Sequence, residues 1–389
     1  APAHAVAAEG ARVTLMGRYM RREILASVAF VLVGFLALFA FFDFINELDD
    51  IGRGGYKLQH ALAFVGLGLP SRIYELMPIA ALIGTIYALA QFASHSEFTA
   101  MRAAGLGRRR ALGAILAVGV WMAIGTAVVG ELLTPPAEKI AQNVRLSAIG
   151  ATVAGEFRSG LWIKDTLKDA DGNVQRMRFV NIGELMPDTT LRSVRVFEFD
   201  RDFRLVELLS AARGRFVPPQ SWDLENAEQT LFEPVRVADN AVALRALRSL
   251  VPRRAWVSEL TPDIVGVLML APERMSAWNL AQYVEHLRDN QQRSDRYEIA
   301  LWKKLVYPLA VVVMMILALP FAYLQARAGG IGYKVFAGIM LGVAFHFLNG
   351  LFSHLGLLNT WPAWLAACVP SVVALALAMA MLAWVDRAH

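Results

Sequence analysis

Cysteine is almost absent: Cys368 is the one thiol in 389 residues, which excludes a disulfide framework and a cysteine zinc site within the chain. Charge is scarce too, at 18% of residues, where a soluble domain carries about 25%. No G-x-x-x-x-G-K-S/T phosphate loop occurs. Gly52-Arg53-Gly54-Gly55-Tyr56 is rich in glycine, but it follows an apolar run and lacks the strand–helix setting of that motif, so it reads as a tight turn. Neither a His-Glu-x-x-His run nor a nucleophile elbow is present, and Ser, His and Asp show no triad spacing. Catalysis and a bound cofactor therefore have no support in the sequence. Residues 1–16 are Ala-rich without the apolar core of a signal peptide, and read as a mobile extension.

Apolar residues are what the chain has in excess, at 56%, gathered in long uncharged runs at both ends. A membrane-spanning helix needs roughly 20 such residues. Ile24–Phe42 makes a first span; Ala61–Phe92 makes a second, with a broken or kinked entry at Pro70 and Pro78; Ala111–Gly130 makes a third. Leu305–Ala326, Val335–Leu358 and Ala363–Val385 make three more. The net charge of +5 then reads as loop bias rather than as a nucleic-acid surface. Arg18, Arg21 and Arg22 precede span one, Arg102 and Arg108 to Arg110 follow span two, and Arg327 and Lys334 separate spans four and five. Both termini are expected in the cytoplasm and the large central loop outside. Lys303 and Lys304, beside span four, run against this bias, which long translocated domains tolerate.

The expected organisation is residues 17–133 for spans one to three, 134–265 for an outer domain, 266–303 for a helical connection and 304–389 for spans four to six. The fold class is an α-helical membrane protein with an inserted all-β, jellyroll-like domain. Phe157–Lys164, Met177–Ile182, Leu191–Phe199, Leu205–Ala211 and Val235–Val237 are short strand-like runs parted by turn signals. Ser276–Leu301 reads as a helix with Leu280, Val284 and Leu287 on one face.

Polar residues inside spans point to protein or water rather than lipid. Arg72 and Glu75, spaced i,i+3, are positioned to pair. His346, Asn349 and His354 share span five with Phe345, Leu348 and Phe352, a pattern that fits either a cavity wall, together with Phe39 and Phe42 of span one, or a lipid-facing helix. Two imidazoles without a carboxylate are a poor metal set, so His346 and His354 read as polar lining or as partners of backbone carbonyls. Between spans two and three, Ser96 and Glu97 open a short helix with Phe98 and Met101 on one side and Arg102 beside them. Such a helix is either an interfacial anchor or a docking knob for a partner.

Several segments in this order resemble the lipopolysaccharide export permease family LptF/LptG, and more closely its LptG branch. They are Arg18-Tyr19, FINELDDIGRGGY (Phe44–Tyr56), LPSRIYELMPIAALIG (Leu69–Gly84), SEFTAMRAAG (Ser96–Gly105), GLWIKD (Gly160–Asp165), LTPD (Leu260–Asp263) and RYEIALWKKLVYPLAVVVMMILALPF (Arg296–Phe321). The resemblance implies half of a heterodimeric ABC transporter in the Gram-negative inner membrane. It implies an LptF-like permease, an LptB-like ATPase dimer and an LptC-like single-span protein as partners, with lipopolysaccharide as cargo and a periplasmic jellyroll. It also implies that residues 96–105 are the coupling helix, with Ser96, Glu97, Phe98, Met101 and Arg102 meeting the ATPase. One departure stands out. Where such permeases carry lysines at the end of span one, this chain has Asp43, Asp49 and Asp50, and Gln142 has replaced a basic residue. Lipid phosphates are therefore expected at Arg53, Lys57, Arg145 or Lys303, on the partner permease, or through divalent cations. A self-contained secondary transporter and a membrane-anchored envelope scaffold or sensor are the alternatives.

Overall fold

The computed structural model describes residues 2–95, 97, 108–149, 160–168, 174–186, 190–236, 242–258, 260–262, 265, 271–323, 331–359 and 361–387. Among the described residues, six helices are long and apolar enough to cross a membrane. The first three lie on α1 (Pro2–Leu48), α2 (Leu58–Ser94) and α3 (Arg108–Val128), the last continued by a π turn at Val129–Leu133 and by α4 (Thr134–Ile149). The others are α6 (Asp295–Ala318), extended by the short α7 (Pro320–Tyr323), then α8 (Ile331–Leu358) and α9 (Ala363–Arg387). A connecting helix, α5 (Ala277–Asp289), precedes α6. The segment expected as an extension, residues 1–16, runs from Pro2 into α1.

α2 is the centre of the bundle. In its apolar window 72% of residues are buried, against 17% for the first and fifth spans. Leu82, Ile86 and Leu89 pack there with Ile24 of α1, Ile115 of α3 and Met314 of α6. Pro70 and Pro78 do not break the helix; prolines are tolerated in spans whose neighbours re-satisfy the freed backbone. Apolar lipid offers no hydrophobic drive for helix pairing, so close packing has to supply it. Gly84 shows how. A Cβ placed there would lie 2.5 Å from the Val28 Cα, so only glycine lets α1 and α2 cross at this distance. Gly84→Ala is expected to lower bundle stability by about 2 kcal/mol through overpacking. Thermal unfolding in detergent checks this, and an unchanged midpoint would show that α1 shifts freely.

Between α4 and α5 lies one six-stranded antiparallel sheet whose strand order is the chain order. Its strands are β1 (Leu161–Lys168), β2 (Val174–Leu185), β3 (Leu191–Phe199), β4 (Leu205–Val217), β5 (Ser221–Arg236) and β6 (Val242–Val257). Leu191, Val194 and Val196 of β3 pack on one side with Val180, Ile182, Trp222 and Leu224. The two motifs that open and close the domain meet. Ser258 Oγ donates to Asp165 at 2.8 Å and accepts from the Leu260 N–H at 3.1 Å, while the Trp222 indole donates to the Leu260 carbonyl at 2.7 Å. Glu198 is buried, which alone would raise its pKa, yet Arg176 and Arg178 hold its carboxyl below the usual range.

Three expectations need correction. Residues 134–149 are helix, not the start of the β-rich region. Their period is carried by polar groups, Glu138, Gln142 and Arg145 at i, i+4 and i+7, so no apolar stripe announces it. Of the run Val235–Val237, residues 235 and 236 end the long β5 and Val237 falls outside the described residues; β6 is not among the strand-like runs read from the sequence. Charge masks both strands: Glu225 faces Arg253 and Glu233 faces Arg245 across the ladder, and Glu228 pairs with Arg248. Ser276–Leu301 is two helices rather than one, parted at Asn290–Ser294, where Gln291 takes a positive φ of 51°.

Candidate functional site

A cavity of about 880 Å³ opens between α1, α2, α4, α6 and α8. Many charged and polar side chains line it beside apolar surface, and two of its walls differ in how their charges are balanced.

The first wall is α1, α2 and α4. Arg72, on α2, grips Asp43 of α1 through both ends of its guanidinium, at 2.9 and 2.7 Å. It also reaches Glu75 at 3.1 Å, the pair expected from their spacing. Its fork lies over the Phe39 ring, 5.5 Å from the centroid. One turn further along, Arg145 of α4 meets Asp50 at 2.5 Å and Glu47 at 3.7 Å, and lies over Phe64. The Tyr56 hydroxyl, in a side chain 1% exposed, donates to Glu47 at 2.7 Å. Asp50 sits outside the spans; its hydrogen bond from Arg145 holds the carboxyl below its usual range against the opposing effect of burial. Tyr56 is pushed up, mainly by burial and then by Glu47.

The second wall is α6 and α8. Lys303 donates only to the Asn349 carbonyl, at 3.5 Å, and makes no ion pair among the described residues. Arg296, His346, Ser353 and His354 stand around it. The His354 Nδ1 lies 2.9 Å from the Gly350 carbonyl, one of the roles read for these imidazoles.

The start of the connecting segment adds Glu273 and Arg274 to the cavity lining. Arg274 meets Glu138 at 2.9 Å, and Lys304 donates to the Met275 carbonyl at 2.5 Å. Glu131, inside the π turn, accepts from the Ala277 N–H at 2.8 Å and the Trp278 N–H at 3.3 Å. A π turn is rare and frequently sits at a functional position. Here it aims one carboxylate at the N-terminus of α5, whose first N–H groups have no partner within the helix.

Of the residues picked from sequence, Arg145, Lys303, His346 and Asn349 line the cavity together. Phe39 lies off the lining, under the Arg72 guanidinium. Phe42 is 52% exposed, and Phe345 is buried in the bundle core; neither lines the cavity. Leu348 also lies off the lining, and Phe352 packs against Trp361 instead. Arg53 is 67% exposed and bound to Asp50, while Lys57 stands exposed at the start of α2. Glu97 is helical and accepts from the Tyr19 hydroxyl at 3.3 Å, tying the loop to α1. Ser96, Phe98, Met101 and Arg102 fall outside the described residues.

Sequence reasoning missed Asp43 as the main partner of Arg72, and missed Glu138, Arg274 and Tyr307. The signal for the first was present. Asp43, Glu47 and Asp50 repeat at i, i+4 and i+7, which puts three carboxylates on one face as α1 ends. Tyr307 carried no such signal: its hydroxyl donates at 2.6 Å to a backbone carbonyl, that of Glu75.

Residues 18–384 match the family model of the lipopolysaccharide export system permease LptF/LptG. The chain is 27% identical over 362 residues to lipopolysaccharide export system permease protein LptG of Haemophilus influenzae, covering 93% of this chain and 96% of that one. It is 28% identical to LptG of Escherichia coli over 359 residues, 92% of this chain and 94% of the other. Its similarity to LptF of Escherichia coli, 29% identical, extends over 111 residues, 28% of this chain and 30% of that protein. Six apolar helices, a sheet inserted after the third and a match over nearly the whole length agree: the chain belongs to the LptF/LptG family of lipopolysaccharide export permeases.

Proposed function

We propose that the chain is the LptG-type permease subunit that carries lipopolysaccharide out of the Gram-negative inner membrane. In this reading it is non-catalytic. It pairs with an LptF-like permease, an LptB-like ATPase dimer supplies the work, and an LptC-like protein receives the lipid. Both termini lie in the cytoplasm and the sheet lies in the periplasm. The observation that carries the reading is the cavity set among the spans, on whose lining Lys303 makes no ion pair among the described residues. Apolar surfaces of the bundle accommodate acyl chains, and Lys303 with Arg296 takes the first phosphate at the sugar end. A compact ammonium serves here as a point charge for phosphate. Residues 96–105 transmit closure of the ATPase dimer to α2 and α3, and lipid leaves past the sheet.

Gentle-detergent purification of the tagged chain, with mass spectrometry of what accompanies it, tests the assembly. A second six-span permease, a nucleotide-binding subunit and bound lipopolysaccharide are the expected companions. A folded chain that reproducibly comes down alone would turn the reading to an envelope scaffold. Within the assembly, Glu97→Ala is expected to lose the ATPase subunit or its coupling to transport while the membrane bundle stays folded. Full ATPase binding and full transport in that variant would remove Glu97 from the contact.

A further inference from the structure

The carboxylates of the first wall belong to one stripe, and the guanidiniums they hold belong to other elements. Asp43, Glu47 and Asp50 all sit at the end of α1 or in the turn beyond it; Arg72 is on α2 and Arg145 on α4. A guanidinium fork binds a carboxylate and a phosphate in the same bidentate geometry. Asp43 on Arg72 is such a bidentate pair, and it lies on the cavity lining rather than behind it. Lys303, on α6, makes no ion pair among the described residues, and Glu273 shares the lining with it.

We infer that the acidic stripe of α1 is a built-in competitor for anionic headgroups: Asp43, with Glu47 and Asp50, occupies Arg72 and Arg145, so a phosphate-bearing amphiphile must displace it. This rests on the export reading above and adds the selectivity of the site. A phosphate lands first at Lys303 and gains the second wall only by exchanging partners with Asp43. The exchange weakens retention of phosphorylated lipid, and the carboxylate returns to its guanidinium as the lipid departs. Asp49 neighbours the stripe but lies off the lining, so it takes no part.

The test is binding to the full chain, with whatever subunits co-purify, of bisphosphorylated lipid A and of the same lipid with its phosphates removed. Asp43→Asn keeps the volume and leaves Arg72 with Glu75, but removes the competing charge. Losing a charge-assisted pair of this kind should tighten bisphosphorylated lipid A by about tenfold. The dephosphorylated lipid should be unaffected. Asp49→Asn removes the same charge outside the cavity and should change neither lipid. Glu75→Gln, whose side chain is 44% exposed and so carries little folding risk, should tighten the phosphorylated lipid by roughly threefold. The inference is overturned if both variants bind phosphorylated lipid no tighter than the parent. Equal tightening by Asp49→Asn also overturns it, because total charge would then be the cause. If the parent chain binds neither lipid, the export reading itself fails; if it binds both and ignores Asp43 and Glu75, only the inference does.

Discussion

Arg145→Met is expected to destabilise the protein by about 3–5 kcal/mol, the cost of removing one partner from a buried charge cluster. Glu47 and Asp50 are nearly buried, and Arg145 is the cation that both face. Methionine fills most of the volume, so the loss is charge rather than space. The pH dependence gives the sign. With Arg145 present the Asp50 pKa is depressed, so its stabilising contribution is complete above the ordinary carboxylate range and disappears as pH falls through the lowered value. Without the Arg145 guanidinium, only Arg53 opposes burial, so the neutral acid is favoured more than in the parent. The gap between parent and variant should therefore be widest near neutrality and narrow towards pH ~4. Thermal melting in detergent across that range measures it. A gap below about 1 kcal/mol at neutral pH would place the pair among weak surface ion pairs.

Glu131→Ala should free the start of α5. Its carboxylate accepts from two backbone N–H groups of a helix 146 positions away in sequence. Losing a cap costs typically ~1 kcal/mol and at most about 2, and charge-assisted bonds lie at the upper end. Amide exchange over residues 277–289 should speed up by about tenfold or more, the equivalent of that loss. Protection in the sheet core around Trp222 should hold. Ser276 also caps this helix, accepting from Asn279 at 3.0 Å, so the helix loosens rather than melts. Unchanged exchange would show that Arg274–Glu138 and Lys304 alone secure the connection. Glu131→Gln, which retains an acceptor oxygen, should recover part of the protection.

What could be read in advance follows from how each signal is carried. The spans were legible because each crossing needs its own unbroken apolar run, and five of the six expected spans fall within helices at nearly the expected places. The fourth span's end, Ala326, falls outside the described residues. The expected bounds of β3, Leu191–Phe199, match the observed ones, since its apolar residues are dense and partly alternate and a turn flanks it. β5 and β6 were not legible in this way, because their pairing is written in opposite charges on facing strands, and a cross-strand partner is invisible until the strands are aligned. For the site, Arg72 with Glu75 could be read from an i,i+3 spacing along one helix. Arg72 with Asp43 could not, since 29 residues and a turn separate them. Phe345 and Phe352 looked like cavity lining because their helix carries polar groups, yet which face of an apolar helix meets protein depends on its neighbours.

By itself, the sequence determined the class of molecule, the number of spans, the inserted β domain and the family, because these depend on local composition, period and ordered motifs. The tertiary structure decided which charges are already answered. Asp43 and Asp50, which look hostile to phosphate in the sequence, are held by Arg72 and Arg145, while Lys303 makes no ion pair among the described residues. Electrostatic balance depends on distances between helices far apart in the chain, and only packing sets those distances.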